Sequence, residues 1–190
     1  MPVQRLSAPA ATAITLADAK LNLRIDGDEL DSLVQAWILG VTDHAEHLMG
    51  RTILHQSWRL TLDDFADAIA LPRPPLVVVQ AVRVRDTDGS WRVLPPERYT
   101  VDTGRDPARL YWVRHPALPW SVPRPGPGVL QIDCLCGHGA DASATPPAIR
   151  LYLLAKLAEQ FDAASRPERN SVTPSYIDRL LDPYCLPEIA

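Results

Sequence analysis

The spacing of apolar residues changes twice along this chain, and these changes constrain its fold more than any other sequence feature. Before Ile53 the apolar residues recur every three or four positions, as on one face of an amphipathic helix. From Ile53 they alternate with polar residues, as in half-buried strands, and from Thr145 the helical period returns. We therefore predict an α+β fold, in which a small bundle of about four helices carries an inserted, mainly antiparallel β unit.

Two helices are predicted before the β unit. Thr15 is a favoured N-cap residue, and Asp18 follows three residues later in the capping-box position. The second helix should begin at Asp28 and bury a broad apolar stripe that includes Trp37. Gly50 stands where a glycine commonly ends a helix in the left-handed conformation.

Two further helices are predicted after the β unit. Thr145 as N-cap and Pro146 at the first helical position begin a helix whose apolar stripe includes Leu153. Thr173 and Pro174 repeat that signal for a last short helix, after a polar linker. Because neither long stripe can be left in water, we expect the first pair of helices to pack on the second.

These patterns divide the chain into a helical domain, a β domain and two arms. The predicted bounds are 14–52 and 145–184 for the helical bundle, 53–137 for the β insert, and 1–13 and 185–190 for flexible arms.

Within the β insert, Leu71–Val84 is predicted to be a rigid, projecting element. Prolines hold φ near the polyproline value and keep the residues before them out of the α region, so the chain should enter the strand already extended. Alternation should place Val78, Val82 and Val84 on one face. Asp88-Gly89, set between apolar runs, predicts a tight hairpin.

Composition excludes several classes of protein. A formal net charge of −4 and a pI of about 5.7 provide no strong basic field for nucleic acid or an anionic membrane. No apolar run approaches the roughly 20 residues of a membrane span, and no signal peptide is recognised at the start. Three cysteines do not make a disulfide framework, which favours synthesis in the cytoplasm with reduced thiols.

Groups that could support chemistry are few. Cys134, Cys136 and His138 are potential zinc ligands on one strand, and His44 and His47 share a helix face. Neither set has the spacing of a known metal site, so buried thiols and a solvated helix face are the favoured interpretations. No phosphate loop or nucleophile elbow is found, and we predict no enzymatic activity, no cofactor and no metal.

Tryptophans in the β insert have two interpretations. Trp91, Trp112 and Trp120 could cover the core of a small sheet, or they could anchor contacts with another subunit. Two alternative functions therefore stay open: a carbohydrate-binding β module that uses these rings, and a small metal-dependent enzyme that uses the His and Cys residues.

The order of the segments resembles the head–tail connector (head completion, or adaptor) proteins of long-tailed bacteriophages and gene transfer agents. Those proteins typically begin with a Thr-Leu-x-x-Ala-Lys-x-x-Leu-Arg helix and an acidic loop, and Thr15–Arg24 followed by Ile25-Asp-Gly-Asp has this pattern. The similarity, to the larger branch with a β insert, covers about Ile14–Tyr184. Its other segments are Gly50-Arg-Thr, Gln56–Leu62, Leu71–Leu76, Val129–Gly139, Pro146–Ala158 and Pro183-Tyr184.

The resemblance implies a structural role in the neck of a virion or phage-like particle. Such proteins form a ring, usually of twelve copies, between the portal and the tail or stopper protein, and DNA passes through the ring. We hypothesise that the Arg166–Ala190 arm docks on the portal, and that Leu71–Trp91 and the His115–Gly128 loop contact neighbouring subunits or the next tail component. The candidate interface residues are Pro74, Pro75, Trp91, Trp120, Arg166, Arg169, Tyr176 and Tyr184.

Overall fold

The computed structural model describes residues 2–86, 88–113, 125–165 and 175–186, and it confirms the α+β class. The helices are α1 (Leu16–Leu23), α2 (Asp31–Met49), α3 (Pro147–Ser165) and α4 (Ser175–Asp178). The strands are β1 (Val3–Ser7), β2 (Gln56–Leu62), β3 (Ala68–Ala70), β4 (Leu76–Arg85), β5 (Trp91–Val93), β6 (Tyr99–Asp102), β7 (Arg109–Trp112) and β8 (Leu130–Cys136).

The chain forms two compact units. The β unit comprises Met1–Ala8 and His55–Gly137, and the helical unit comprises Pro9–Leu54 and His138–Ala190. Among the helices in the described ranges, none combines the length and the apolar character needed to cross a bilayer.

Two of the four ends of the first two helices lie at predicted capping residues, Thr15 at the start of α1 and Gly50 at the end of α2. The Thr15 hydroxyl accepts the Asp18 backbone N–H at 3.0 Å and donates to the Asp18 carboxylate at 2.6 Å, which satisfies a backbone donor at the start of α1. Arg24 ends α1 in the left-handed region at φ 56°, and Gly50 ends α2 at φ 67°. α2 begins at Asp31, three residues later than the predicted Asp28.

Packing between α2 and α3 forms the centre of the helical unit. Val34 and Ile38 of α2 and Leu153 of α3 are fully buried in one apolar cluster. The Trp37 ring meets the Phe161 ring edge to face, with 6.1 Å between centroids. The predicted pairing of the two stripes is confirmed.

The start of α3 differs from the prediction. The Thr145 side chain is buried, and its hydroxyl donates to the Ala13 carbonyl at 2.7 Å instead of capping the helix. Thr145 follows a short 3₁₀ turn at Ala142–Ala144, and α3 begins at Pro147. The Thr-Pro signal therefore located the helix to within two residues, but a tertiary hydrogen bond uses the hydroxyl.

Residues 175–186 pack more firmly than a weakly packed arm. Ile177 of α4 and Leu181 of the following 3₁₀ turn (Arg179–Tyr184) lie in the helical core. The Leu186 N–H donates to the Met49 carbonyl at 3.1 Å, so the flexible arm predicted from residue 185 does not begin there. The predicted Thr173-Pro174 cap lies outside the described residues.

The β unit contains two antiparallel sheets. The first has five strands in the order β1-β2-β8-β4-β5, and the second has three in the order β3-β7-β6. Their apolar side chains share one core, which includes Leu60, Val82, Leu110 and Ile132. The prediction of a flexible arm over residues 1–13 is wrong for Val3–Ser7, because this segment pairs with β2 as an edge strand.

The segment that leads into β4 is bent, not extended. Arg73 has φ 56° and the backbone turns through Pro72–Pro75, where the Pro75 carbonyl accepts the Gly137 N–H at 2.9 Å. β4 then lies between β8 and β5, so it does not project from the sheet. The predicted hairpin is confirmed: the Gly89 N–H donates to the Asp86 carbonyl at 2.9 Å, with Gly89 at φ 87°.

Irregularities in β4 change which side chains share a face of the strand, compared with the prediction for Val78, Val82 and Val84. Val82 and Val84 are fully buried, but Val78 is 48% exposed. The register with β8 shifts between Leu76 and Val78 and again between Val79 and Ala81. Each extra residue reverses the alternation, so Val78 lies on the opposite face from Val82.

We expect Leu153→Ala to destabilise the protein by about 2–5 kcal/mol, because it leaves a cavity where α2 and α3 pack. The matched control is Leu151→Ala on the same helix, where the side chain is about half exposed and the change should cost well under 1 kcal/mol. Urea unfolding followed by circular dichroism measures both. Equal losses for the two variants would contradict the assigned core.

Candidate assembly surface

One face of the five-stranded sheet is turned away from the core of the β unit; we call it the outer face. Along β2 and β8 every second side chain is buried, as Trp58, Leu60, Ile132 and Cys134 illustrate. The residues between them therefore lie on the outer face. Strand register extends this face across the sheet. Its residues are Gln4, Ser57, Arg59, Thr61, Val78, Ala81, Arg83, Arg85, Trp91, Val93, Gln131, Asp133 and Leu135.

Asp133 occupies the middle of the outer face and holds two arginines. The Arg59 guanidinium on β2 donates to both carboxylate oxygens of Asp133, at 2.7 and 2.9 Å. Arg83 on β4 donates to Oδ2 from the other side. The Asp133 side chain is only 7% exposed, because the two guanidinium groups cover it. One carboxylate on β8 therefore joins three neighbouring strands through charge-assisted hydrogen bonds.

The electrostatics of this group are dominated by competing effects of burial and charge. Burial alone would raise the pKa of the Asp133 carboxyl, but the hydrogen bonds from Arg59 and Arg83 outweigh it and hold that pKa below its ordinary value. The same bond raises the pKa of the Arg59 guanidinium. Asp133 is thus ionised at neutral pH and compensates the arginines. Three donors from two strands bind this carboxylate, which indicates a structural role for the group.

Beyond this ion pair the outer face becomes apolar towards β5. Trp91 and Val93 are 43% and 60% exposed, and Val78 is also exposed. Trp91 lies beside Arg85 and Val93 beside Arg83 in the ladder with β4. Exposed aromatic and aliphatic side chains next to arginines are typical of protein-binding surfaces.

The predicted interface residues fall into different environments. Trp91 and Tyr176 are exposed, Pro74 is buried, and Pro75 is half-buried. Tyr184 packs against the helical core, and its carbonyl accepts a hydrogen bond from the Arg51 guanidinium. Buried Pro74 and packed Tyr184 have structural roles in their own units, and contact with a partner stays a prediction for both. Trp120, Arg166, Arg169 and most of the His115–Gly128 loop lie outside the described residues.

Trp112 serves the core of its own unit. Its ring lies 5.8 Å from Phe65, and its indole N–H donates to the Ala66 carbonyl at 2.9 Å. The structure thus supports a role for Trp112 in the core of the sheet. The exposed Trp91 remains a candidate for contact with another subunit.

The cysteines of β8 are inert thiols in an apolar environment. Cys134 and Cys136 are fully buried; burial raises the pKa of the Cys136 thiol to about 12 and raises that of Cys134 as well. His44 and His47 are exposed on α2. Within the ranges that the structure describes, no three His, Cys, Asp or Glu side chains are grouped so as to hold a metal ion.

The ion pair at the middle of the outer face is not predicted from the sequence. Arg59, Arg83 and Asp133 were not singled out, although each is a charged residue in an alternating strand. Their alternation with apolar neighbours predicts that they share the solvent side of a sheet. The alternation does not predict the strand order, which places β8 between β2 and β4 and so brings the three side chains together.

The fold is that of proteins from the necks of gene transfer agent (GTA) particles. A chain in "Neck of empty GTA particle computed with C6 symmetry" superposes with a TM-score of 0.81 at 19% identity, covering 100% of this chain and 98% of that chain. Chains in "Virion of native gene transfer agent (GTA) particle" and "Neck of native GTA particle computed with C12 symmetry" give TM-scores of 0.79 and 0.73, at 19% and 21% identity, with the same coverage.

Part of the sequence also matches a model of a known protein family. Residues 13–90 match the model described as "Phage gp6-like head-tail connector protein", a range that begins just before α1 and ends in the β4–β5 hairpin. The resemblance to head–tail connector proteins predicted from the sequence is thereby confirmed. No curated protein sequence matches the chain.

We expect Asp133→Asn to destabilise the protein by about 2 kcal/mol at pH 7, because two arginines lose their carboxylate. The folded pKa of Asp133 lies below its unfolded value, so its contribution is present above the ordinary carboxyl pKa and is lost as pH falls through the folded value. The difference between wild type and variant should therefore shrink below about pH 4.

Urea titrations at pH 7, 5 and 3 measure this difference, with Asp64→Asn, which alters an exposed carboxylate, as control. A difference that is unchanged at pH 3 would contradict the assigned ion pair.

We expect one reactive thiol in the native protein. Cys185 is exposed, whereas the Cys134 and Cys136 thiols are buried and have raised pKa values. A chromogenic disulfide reagent at pH 8 should label one thiol per chain at once and all three in urea. Cys185→Ser should abolish the fast labelling. Rapid labelling that persists in this variant would mean that β8 is accessible.

Proposed function

We propose that this protein is a structural component of the neck of a phage-like particle, where it forms a ring between the portal and the tail or stopper protein. The observation that carries the proposal is the match of the whole chain to a GTA neck chain, with a TM-score of 0.81 and coverage of 100% and 98%. The family match over residues 13–90 supports the same role independently of the structural comparison.

A ring of twelve copies is the assembly we propose. The necks with which this chain shares its fold were computed with C6 and C12 symmetry. Cyclic assemblies use heterologous contacts, in which one surface of a subunit meets a different surface of the next. The exposed apolar side chains of the outer face, Trp91 and Val93 among them, supply surface for such contacts.

Charge supports passage of DNA through the ring without tight binding. The helical unit has 8 basic and 14 acidic residues, a formal charge of −6, and the β unit has 11 basic and 9 acidic residues, a formal charge of +2. DNA affinity grows with the number of phosphates that a protein neutralises. This chain has few basic residues in excess of acidic ones to neutralise phosphates, so a DNA duplex can slide past it.

Docking on the portal is proposed for the C-terminal region. Tyr176 is 60% exposed on α4, while the adjacent Ile177 is buried in the helical core. A large aromatic side chain on a short, anchored helix is well suited to insert into a partner's pocket. Deleting the whole of residues 166–190 would also remove Ile177 and Leu181 from the core, so a point substitution at Tyr176 is the cleaner test of docking.

Neither alternative function gains a supporting observation. Among the candidate ligands of a metal-dependent enzyme, the Cys134 and Cys136 thiols are buried, and their raised pKa values disfavour the thiolates that bind metals. A carbohydrate-binding surface would need several exposed rings, and Trp112 is engaged with Phe65 and Ala66.

Deleting the gene from the producing cell should give DNA-filled heads that are not joined to tails, because the proposed ring connects them. Electron microscopy of the particles measures the fraction with tails, and the wild-type gene on a plasmid should restore it. Complementation with Tyr176→Ala should reduce that fraction, whereas Leu151→Ala, at another exposed apolar position of the helical unit, should not. Tailed particles at normal frequency after deletion would overturn the proposal.

A further inference from the structure

The five-stranded sheet ends in two edge strands that are not alike. In the described part of the chain, β1 pairs with β2 alone and β5 pairs with β4 alone. All four ladders of this sheet are antiparallel. Stepping across the order β1-β2-β8-β4-β5 reverses the direction four times, so β1 and β5 run the same way. The two edges therefore differ in sequence but share one polarity.

Hydrogen bonding identifies the backbone groups that β5 turns outward. The Asp86 N–H donates to the Ser90 carbonyl at 2.9 Å, and the Leu94 N–H donates to the Val82 carbonyl at 2.8 Å. In an antiparallel ladder, alternate residues exchange bonds with the partner strand. Residues 90, 92 and 94 thus face β4, and Trp91 and Val93 point their N–H and C=O groups towards the open edge.

The same reasoning applies to β1. The Thr61 N–H donates to the Pro2 carbonyl at 3.1 Å, and Gln4 lies opposite Arg59 in the register. Pro2 and Gln4 therefore face β2, and Val3 between them turns its backbone groups to the outside. Each edge strand therefore turns the N–H and C=O groups of alternate residues outward, as hydrogen bonding to a further strand requires.

We propose that β5 of one copy pairs in parallel with β1 of the next copy, so that the sheet continues from subunit to subunit around the ring. The inference rests on the proposed ring function, since it names the contact that would close the ring. Rotation about a ring axis carries each edge to its neighbour without inverting it, so two edges of equal polarity meet as a parallel pair. A two-fold axis would instead join β1 to β1 or β5 to β5, and neither arrangement propagates.

The side chains of β5 and β1 are compatible with parallel pairing between two copies of the chain. In a parallel pair an outward-bonding residue of β5 lies beside Gln4, and Val93 and Gln4 both have their side chains on the outer face. Pairing would cover the exposed Val93 and Trp91 on one side and Val3 and Leu6 on the other. Exposed apolar edge strands are otherwise sites of uncontrolled association.

Prolines limit how far such pairing can extend. Pro2 lies immediately before β1, and Pro95 and Pro96 lie just beyond β5. Because proline cannot donate to a ladder, the new contact is confined to a few residues. A ladder this short is weak for a single pair of molecules and is reinforced when all copies close into a ring.

Disulfide trapping tests the contact directly. Gln4→Cys and Val93→Cys are combined in one chain that also carries Cys185→Ser, and particles are oxidised mildly before a non-reducing gel. Neighbouring strands place Cα atoms about 5 Å apart, which is within disulfide range. The double variant should yield a ladder of cross-linked multimers, and co-assembled single variants should yield dimers only. Gln4→Cys combined with Leu151→Cys, a position in the helical unit, should not cross-link.

The outcomes separate this inference from the proposed function. Rings that are visible in micrographs but give no Gln4–Val93 cross-link would overturn the edge pairing and leave the neck role intact. Dimers formed by either single variant alone would show a two-fold contact and overturn it as well. Absence of the protein from particle necks would overturn the proposed function and the pairing together.

Proline substitutions provide a second test that does not depend on oxidation. Val93→Pro removes an amide that faces the open edge, so thermal unfolding should stay within a few degrees of wild type while incorporation into rings falls on the order of tenfold. Arg92→Pro removes an amide that bonds to β4 and should lower thermal stability instead. Normal incorporation of Val93→Pro would overturn the inference.

Discussion

In the β unit, Asp133 of β8 forms an ion pair with Arg59 of β2 and Arg83 of β4, and this ion pair links three neighbouring strands. β8 is the last strand of the unit in sequence, yet it lies at the centre of the five-stranded sheet and pairs on both sides. Its inner side chains complete the apolar core, and its outer carboxylate reduces the repulsion between the two arginines that it binds. The sheet is therefore complete only when a segment more than forty residues beyond β4 has returned to it.

With β8 at the centre, β1 and β5 are the edge strands of the five-stranded sheet, and these are the strands to which we assign the proposed contact. β8 is hydrogen-bonded on both sides, whereas among the described residues β1 and β5 each pair on one side only. A sheet with two open edges of the same polarity suits a cyclic assembly, because every subunit can give and receive the same contact. The acidic surplus of the helical unit, −6 against +2 for the β unit, is compatible with the proposed passage of DNA.

Several features could be predicted because their signals are local. The period of the apolar residues identified α2, β2 and β8, and cap residues such as Thr15 and Gly50 located helix ends, since each acts through neighbours within one turn. Val3–Ser7 was missed because an edge strand exposed on both faces lacks a strong alternating pattern. The exposure of Val78 was missed because irregularities in β4 reverse the alternation without leaving a glycine or proline to mark them.

The sequence by itself determined the class of fold, the helix–sheet–helix order and the resemblance to head–tail connectors, because periodicity, capping and motif order are properties of short segments. Only the tertiary structure decided which strands are neighbours, which charges meet at Asp133 and which strands lie at the edges of the sheet. These features join residues tens of positions apart, such as Arg59 with Asp133 or Thr145 with Ala13. Such pairings depend on how the chain returns to itself, and no local pattern of residues encodes that path.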